Sequence, residues 1–147
     1  MLMHMRGGPQ DHLKFARYSD VVREVAHYLG DRANFAIAAG ISKSRIILDP
    51  GLGFAKNADH NLKLLSDLQA LCALGYPVLI GASRKTFVRR IAGESAAEIE
   101  YGNAAVNAIA IARGASIVRV HDPAIALATV KMAAALCGRD RRYKHHA

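Results

Sequence analysis

Tryptophan is absent, and cysteine occurs only at Cys72 and Cys137 in 147 residues. Two cysteines set inside helical patterns cannot build a disulfide scaffold. They read as buried free thiols in a reducing cytoplasm. No apolar run approaches the roughly 18 residues needed to span a bilayer. The opening Met1-Leu2-Met3-His4-Met5-Arg6 also lacks the apolar core of a signal peptide. A cytoplasmic chain with no membrane partner is therefore expected. Aromatic residues make up 6% and nowhere interleave with basic ones, so a stacking platform for single-stranded nucleic acid is not expected. No Cys/His spacing suits a metal site, and His145-His146 reads as a surface feature rather than a ligand pair.

What is present suits one compact domain: 52% hydrophobic and 22% charged residues are ordinary for a globular fold with a real core. The net charge of +8 fits nucleic acid or a small anionic substrate equally well. Its basic residues are dispersed, apart from the run Arg139-Asp140-Arg141-Arg142-Tyr143-Lys144-His145-His146, which reads as a solvated tail.

The pattern alternates short strands with amphipathic helices. Leu2 to Met5 reads as a strand end broken by Gly7-Gly8-Pro9. Val21, Val22, Val25, Leu29, Ala33, Ala36 and Ile37 recur at three- and four-residue steps, predicting a helix over 18–39 stopped by Gly40. Arg45 to Asp49 is a strand covered on both faces, followed by the loop Pro50-Gly51-Leu52-Gly53-Phe54-Ala55-Lys56. A helix over 58–74, with Leu62, Leu65, Leu68 and Cys72 in register, leads to a third strand over 76–81. A short helix over 85–92 and a longer one over 98–113 precede a fourth strand over 116–120. Asp122 is placed to cap a last helix, with Pro123 in its first position and Gly138 at its close. Such alternation predicts an α/β fold with a parallel sheet and right-handed crossovers. An open doubly wound sheet and part of a (β/α)8 barrel both fit. Gly51-Leu52-Gly53 lacks the third glycine of a dinucleotide fingerprint and follows the second strand, which tilts the balance slightly toward the barrel.

In either architecture, function gathers at the carboxyl ends of the strands. Those ends carry His4 and Met5, then Asp49, then Ser83-Arg84-Lys85, then Arg119 and His121. Asp49 is either a capping carboxylate or an acceptor for the paired donors of an amidine-like ligand edge. Gly81-Ala82-Ser83-Arg84-Lys85-Thr86 is either a solvated turn or an anion-binding helix start. Arg119 and His121 alternate and so share a face, which suits phosphate or pyrophosphate. His121 could equally serve as a helix cap.

These residues carry a resemblance. Leu2-Met3-His4-Met5, Leu48-Asp49-Pro50-Gly51-Leu52-Gly53-Phe54, Gly81-Ala82-Ser83-Arg84-Lys85 and Arg119-Val120-His121-Asp122 resemble, in order, the last four strand-end motifs of dihydropteroate synthase. The resemblance implies a (β/α)8 barrel of which only the last four βα units are present. It covers residues 1–137, with 138–147 as a basic tail. It implies a magnesium-assisted transferase of folate biosynthesis, the target of sulfonamides. That enzyme joins 6-hydroxymethyl-7,8-dihydropterin pyrophosphate to p-aminobenzoate, giving 7,8-dihydropteroate and pyrophosphate. By motif, Met3, Asp49, Gly81 and Lys85 would hold the pterin. Phe54, Ser83 and Thr86 would border p-aminobenzoate, Arg84, Arg119 and His121 would take pyrophosphate, and Lys85, Arg119 and His121 would carry catalysis.

The sequence departs from the family pattern at Ala55, where glycine is usual, and near Arg6-Gly7-Gly8. A full barrel takes about 250 residues. The family's amino-terminal loops, including its usual magnesium ligand, would lie before Met1. The expectation is a chain that is inactive alone or that self-associates, as a homodimer or with a complementary half. Two readings compete with the synthase: a non-catalytic half-barrel acting as an interaction module, and a pterin-binding methyltransferase. The methyltransferase leaves Ser83-Arg84-Lys85 and Arg119-Val120-His121-Asp122 unexplained.

Overall fold

The computed structural model describes residues 1–8 and 10–139. Pro9 and the greater part of the basic tail, from residue 140 onward, lie outside the described residues. Four strands, β1 (Leu2–Met3), β2 (Leu48–Asp49), β3 (Leu79–Ile80) and β4 (Ile117–Val118), alternate with helices. The helices are α1 (Val21–Ala38), α2 (Ala58–Ser66), α3 (Leu68–Cys72), α4 (Thr86–Ala92), α5 (Ala96–Ala112) and α6 (Pro123–Leu136).

β1 pairs in parallel with β2 in the register Leu2 to Leu48. A single parallel bridge joins Leu48 to Val78, and β3 pairs in parallel with β4 in the register Leu79 to Ile117. The strands thus stand side by side in chain order, all pointing the same way. Each regular ladder is shorter than the periodicity predicts. Beside β3 the reason is Pro77, which accepts from the Leu48 N–H at 2.9 Å but has no N–H to return.

The core lies between this sheet and the helices. Val25, Leu29 and Ala33 of α1 are fully buried, together with Leu48, Leu64, Leu68, Leu71, Val78 and Ile80. Their spacing on α1 is the apolar stripe seen in the sequence, but Ile37 falls off it and is 40% exposed. α1 starts where Asp20 accepts from the N–H groups of Val22 and Arg23. The single helix expected over 58–74 is two, α2 and α3, with Asp67 between them. Leu62 turns outward at 44% exposure, and Leu64 and Asn61 take the inner face. Asn61 is buried there because its amide accepts from Gly53 N–H and donates to the Asn57 carbonyl.

α5 begins earlier than its apolar pattern suggests, at a reciprocal cap. Ser95 accepts from Glu98 N–H, and the Glu98 carboxylate accepts from Ser95 N–H. α6 opens as expected, with Asp122 accepting from Ala124 and Ile125 N–H and Pro123 in the first turn. α6 packs mainly on α5 and buries only Ala126 and Ala133, leaving Ile125, Leu127, Met132 and Leu136 exposed. The cysteines are free, but neither is fully buried. Cys72 is half-covered, and Cys137 is exposed because it ends the outermost helix.

Candidate functional site

Parallel strands bring all four carboxyl ends to one rim. Asp49 closes β2 and is 3% exposed. Its Oδ1 accepts from Gly51 N–H at 2.7 Å, a tight turn that Gly51 makes possible at φ +67. Burial pushes the Asp49 carboxyl up, opposed by that N–H and by the positive charges of Arg119, Lys56 and Lys85. The charges of three cations from three different segments thus act on one carboxylate, with no ion pair to it among the described residues. The group as a whole is short of negative charge.

Lys85 precedes α4 and crosses the loop after β2. Its Cδ would lie 3.0 Å from a Cβ on Gly53, and its Nζ sits 4.0 Å above the centroid of Phe54. Burial lowers its pKa first, then Arg119, with Asp49 opposing. Arg119 follows β4 and lays its guanidinium against Gly81, where any Cβ would meet Nη2 at 2.8 Å. His121, two residues on, places Nδ1 2.9 Å from the hydroxyl of Ser83, which is 8% exposed. Met3 closes β1 beside Gly51.

The structure thus links Met3 and Asp49 through Gly51, sets Lys85 over Phe54 and Arg119 against Gly81, and pairs His121 with Ser83. Arg84 and Thr86 flank Lys85 in the chain. Both are exposed and make no side-chain hydrogen bond among the described residues. Arg84 holds a left-handed φ of 59, rare outside glycine and costly for a residue with a Cβ.

Two residues have a larger part than their sequence context suggests. Lys56 is 3% exposed, and its Nζ reaches His4 Nδ1 at 2.9 Å, the Phe54 carbonyl at 2.9 Å and the Gly51 carbonyl at 3.2 Å. Burial pushes the Lys56 pKa down to about 7, while Asp49 pulls it up. His4 is 1% exposed, and burial, then Lys56 and Arg6, push it down to about 4. A neutral His4 with an unprotonated Nδ1 is the acceptor this arrangement requires. A lysine ending a loop is ordinarily solvated, so this burial among carbonyls leaves no signal in the sequence.

The loop after β2 is held from several sides. Tyr18 donates to the Ala55 carbonyl at 2.9 Å, and the Ala55 N–H donates to His12 Nδ1 at 3.0 Å. Ala55 itself is buried at φ 51, so its methyl group sits where glycine would be unstrained. A groove of about 1350 Å3 lies elsewhere. It runs along the outer face between α1 and α2–α3 and includes none of the rim residues. No helix among the described residues is long and apolar enough to cross a membrane.

Comparison with known proteins matches residues 1–121 to the family described as pterin binding enzyme. A dihydropteroate synthase of Neisseria meningitidis serogroup C is 50% identical over 123 residues, covering 82% of this chain and 44% of that protein. The crystal structure of dihydropteroate synthase from Thermus thermophilus in complex with 4-aminobenzoate superposes with a TM-score of 0.86 at 39% identity, covering 92% of this chain and 52% of that one. The Yersinia pestis dihydropteroate synthase with a sulfonamide drug complex gives a TM-score of 0.88 at 33% identity, covering 94% and 50%. The chain spans about half the length of the relatives it matches.

Proposed function

Because the chain belongs to the pterin-binding enzyme family, we propose that it is the second half of a (β/α)8 barrel and carries the pterin and pyrophosphate rim of a dihydropteroate synthase. The supporting observation is that parallel strands bring the buried carboxylate of Asp49, the Lys85 ammonium over Phe54 and the Arg119 guanidinium against Gly81 to the same end of the sheet. In this reading Asp49 accepts the paired N–H donors of the pterin's guanidine-like edge. Met3 and Gly81 border the ring, and Lys85 contacts it. Phe54, Ser83 and Thr86 border p-aminobenzoate, and Arg84, Arg119 and His121 receive pyrophosphate. In this reading the protein acts in the cytoplasm.

The chemistry follows from the charge. The bond between the pterin methylene and the pyrophosphate oxygen breaks, and its electron pair leaves with pyrophosphate. The methylene becomes positive, and the lone pair of the aromatic amine closes on it to form the carbon–nitrogen bond. The amine then loses a proton to solvent. Arg119 and Lys85 by charge, and His121 as a hydrogen-bond donor, stabilise the departing anion, and such preorganised electrostatic contacts are usually the dominant catalytic contribution. No strong general base is needed.

The residues described do not fit a protein-held magnesium ion. No three His, Cys, Asp or Glu side chains among them converge as ligands, and the rim carboxylate Asp49 already accepts from Gly51. No step above passes through a metal.

Titration of the full chain with 6-hydroxymethylpterin and with inorganic pyrophosphate tests the reading. Both should bind saturably, and Asp49→Asn should weaken the pterin about a hundredfold, the worth of two charge-assisted hydrogen bonds, while sparing pyrophosphate. Absence of both affinities in the unaltered chain would sink it. Dihydropteroate formation should not occur with this chain alone, since a closed rim needs strand-end loops from both halves of a barrel.

A second reading has its own support. The exposed Ile125, Met132 and Leu136 of α6 share one side of the helix, an apolar stripe suited to self-association. In that reading the chain is an interaction module. Light scattering reports the assembly, and pterin titration separates the two readings.

A further inference from the structure

Two buried amides lie behind the Ser83–His121 pair, and nothing in the rim uses them. Asn103 and Asn107 sit one turn apart on α5 and are 3% and 2% exposed. Both amide atoms of Asn103, and Oδ1 of Asn107, lack a hydrogen-bond partner among the described residues. A buried amide left this way is costly, and two together on one face are unusual. Both line a small cavity of about 10 Å3 that also touches Ser83, Asp122 and Thr129. That volume is close to what one water needs, and a buried water requires two to four polar partners.

We propose that Asn103 and Asn107 hold one water against Ser83, and that this water fixes the tautomer of His121. Water can accept from the Asn103 Nδ2–H and donate to the Asn107 Oδ1. Its second hydrogen is then free for a lone pair of the Ser83 hydroxyl. Ser83 Oγ already faces two groups of His121, the backbone N–H at 3.4 Å and Nδ1 at 2.9 Å. With its oxygen receiving the water and that N–H, the hydroxyl hydrogen has one good acceptor left, Nδ1. Neutral His121 then carries its proton on Nε2, on the far side of the ring from Ser83, as a donor suited to an anion. Asn103 and Asn107 are positioning residues, acting through the water and Ser83. The consequence for anion binding rests on the proposed pyrophosphate site, but the tautomer does not.

Long-range proton–nitrogen correlation of His121 in the full chain, at a pH where the ring is neutral, tests this directly. The Nε2–H form should dominate in the unaltered protein, and Asn103→Leu and Asn107→Leu should each give a mixture of tautomers. An unchanged tautomer in both variants would overturn the proposal. A crystal structure of the unaltered chain provides a measurement independent of variant folding. Density for a water between the two amides and Ser83 is expected, and an empty cavity would overturn it. Asn103→Ser, which keeps a polar partner, should restore the single tautomer. In a pyrophosphate titration the leucine variants should bind about fivefold more weakly, the worth of one hydrogen bond, with no further loss when Ser83→Ala is added. If the unaltered chain binds neither pyrophosphate nor 6-hydroxymethylpterin while the tautomer shifts as stated, the proposed function falls and this inference stands.

Discussion

The buried ammonium of Lys56 reaches the ring nitrogen of His4 at 2.9 Å, tying the loop after β2 to the end of β1. Lys56→Met removes the donor to His4 and to the Gly51 and Phe54 carbonyls together. At alkaline pH, where the lysine's charge no longer opposes its burial, it should lower stability by about 2 kcal/mol, the cost of leaving buried acceptors unmet. Urea unfolding measures it, and a variant as stable as the original would show that the bonds contribute nothing.

The same pair sets the pH dependence. His4 titrates at about 4 when folded against 6.5 ordinarily, so between those values the unfolded chain binds more protons. Stability should therefore rise as pH climbs through that window and fall on acidification. Lys56, at about 7 when folded against 10.5, has the same sign. Its burial disfavours the folded state fully below about 7 and progressively less as pH rises toward 10.5. The midpoint of urea unfolding should increase across both windows, and Lys56→Met should flatten the alkaline one. A midpoint that falls between neutral and alkaline pH in the unaltered chain would contradict the burial of Lys56.

Two glycines of the rim should respond differently to alanine. At Gly51, φ is +67 and a Cβ would lie 2.0 Å from the His4 carbonyl oxygen, so backbone must move. Gly51→Ala should cost about 3 kcal/mol or prevent folding. At Gly81 the obstruction is the flexible end of Arg119, 2.8 Å away. Gly81→Ala should leave the melting temperature nearly unchanged while weakening pyrophosphate about tenfold, the scale of one charge-assisted hydrogen bond. Equal melting temperatures for the two variants would refute the distinction.

Arg84 should reveal local strain. Its φ of 59 is unfavourable for any residue with a Cβ, and its side chain makes no hydrogen bond that would be lost among the described residues. Arg84→Gly should raise stability by about 1 kcal/mol in urea while weakening pyrophosphate at low salt. A loss of stability would show that the side chain matters to the fold.

Ser95 offers a control far from the chemistry. Ser95→Ala removes the hydroxyl that accepts from Glu98 N–H at 3.2 Å. It should cost about 1 kcal/mol and leave pyrophosphate affinity as it was. A change in affinity would connect the start of α5 to the rim.

The parts visible in the sequence are those governed by local rules. Asp122 and Pro123 announced the start of α6 because capping needs only near neighbours. Asp49, Ser83, Lys85, Arg119 and His121 could be assigned to one rim because parallel strands turn their carboxyl ends the same way. Lys56 could not be read, since a lysine in a loop is ordinarily solvated and its acceptors here come from folded backbone and from the residue after β1. Asn103 and Asn107 carry no local sign of burial, because helices α4 and α6 that pack against α5 are brought there only by the fold. The break at Asp67 was hidden by leucines that continue in register across it.

The loop from Gly51 to Lys56 is held by Tyr18, His12, Asn61 and its own lysine, all bonded to its backbone. It therefore has little freedom left to lose when a ligand arrives. Affinity there should carry a small entropic penalty, and what the loop recognises is decided when the chain folds rather than when the ligand lands.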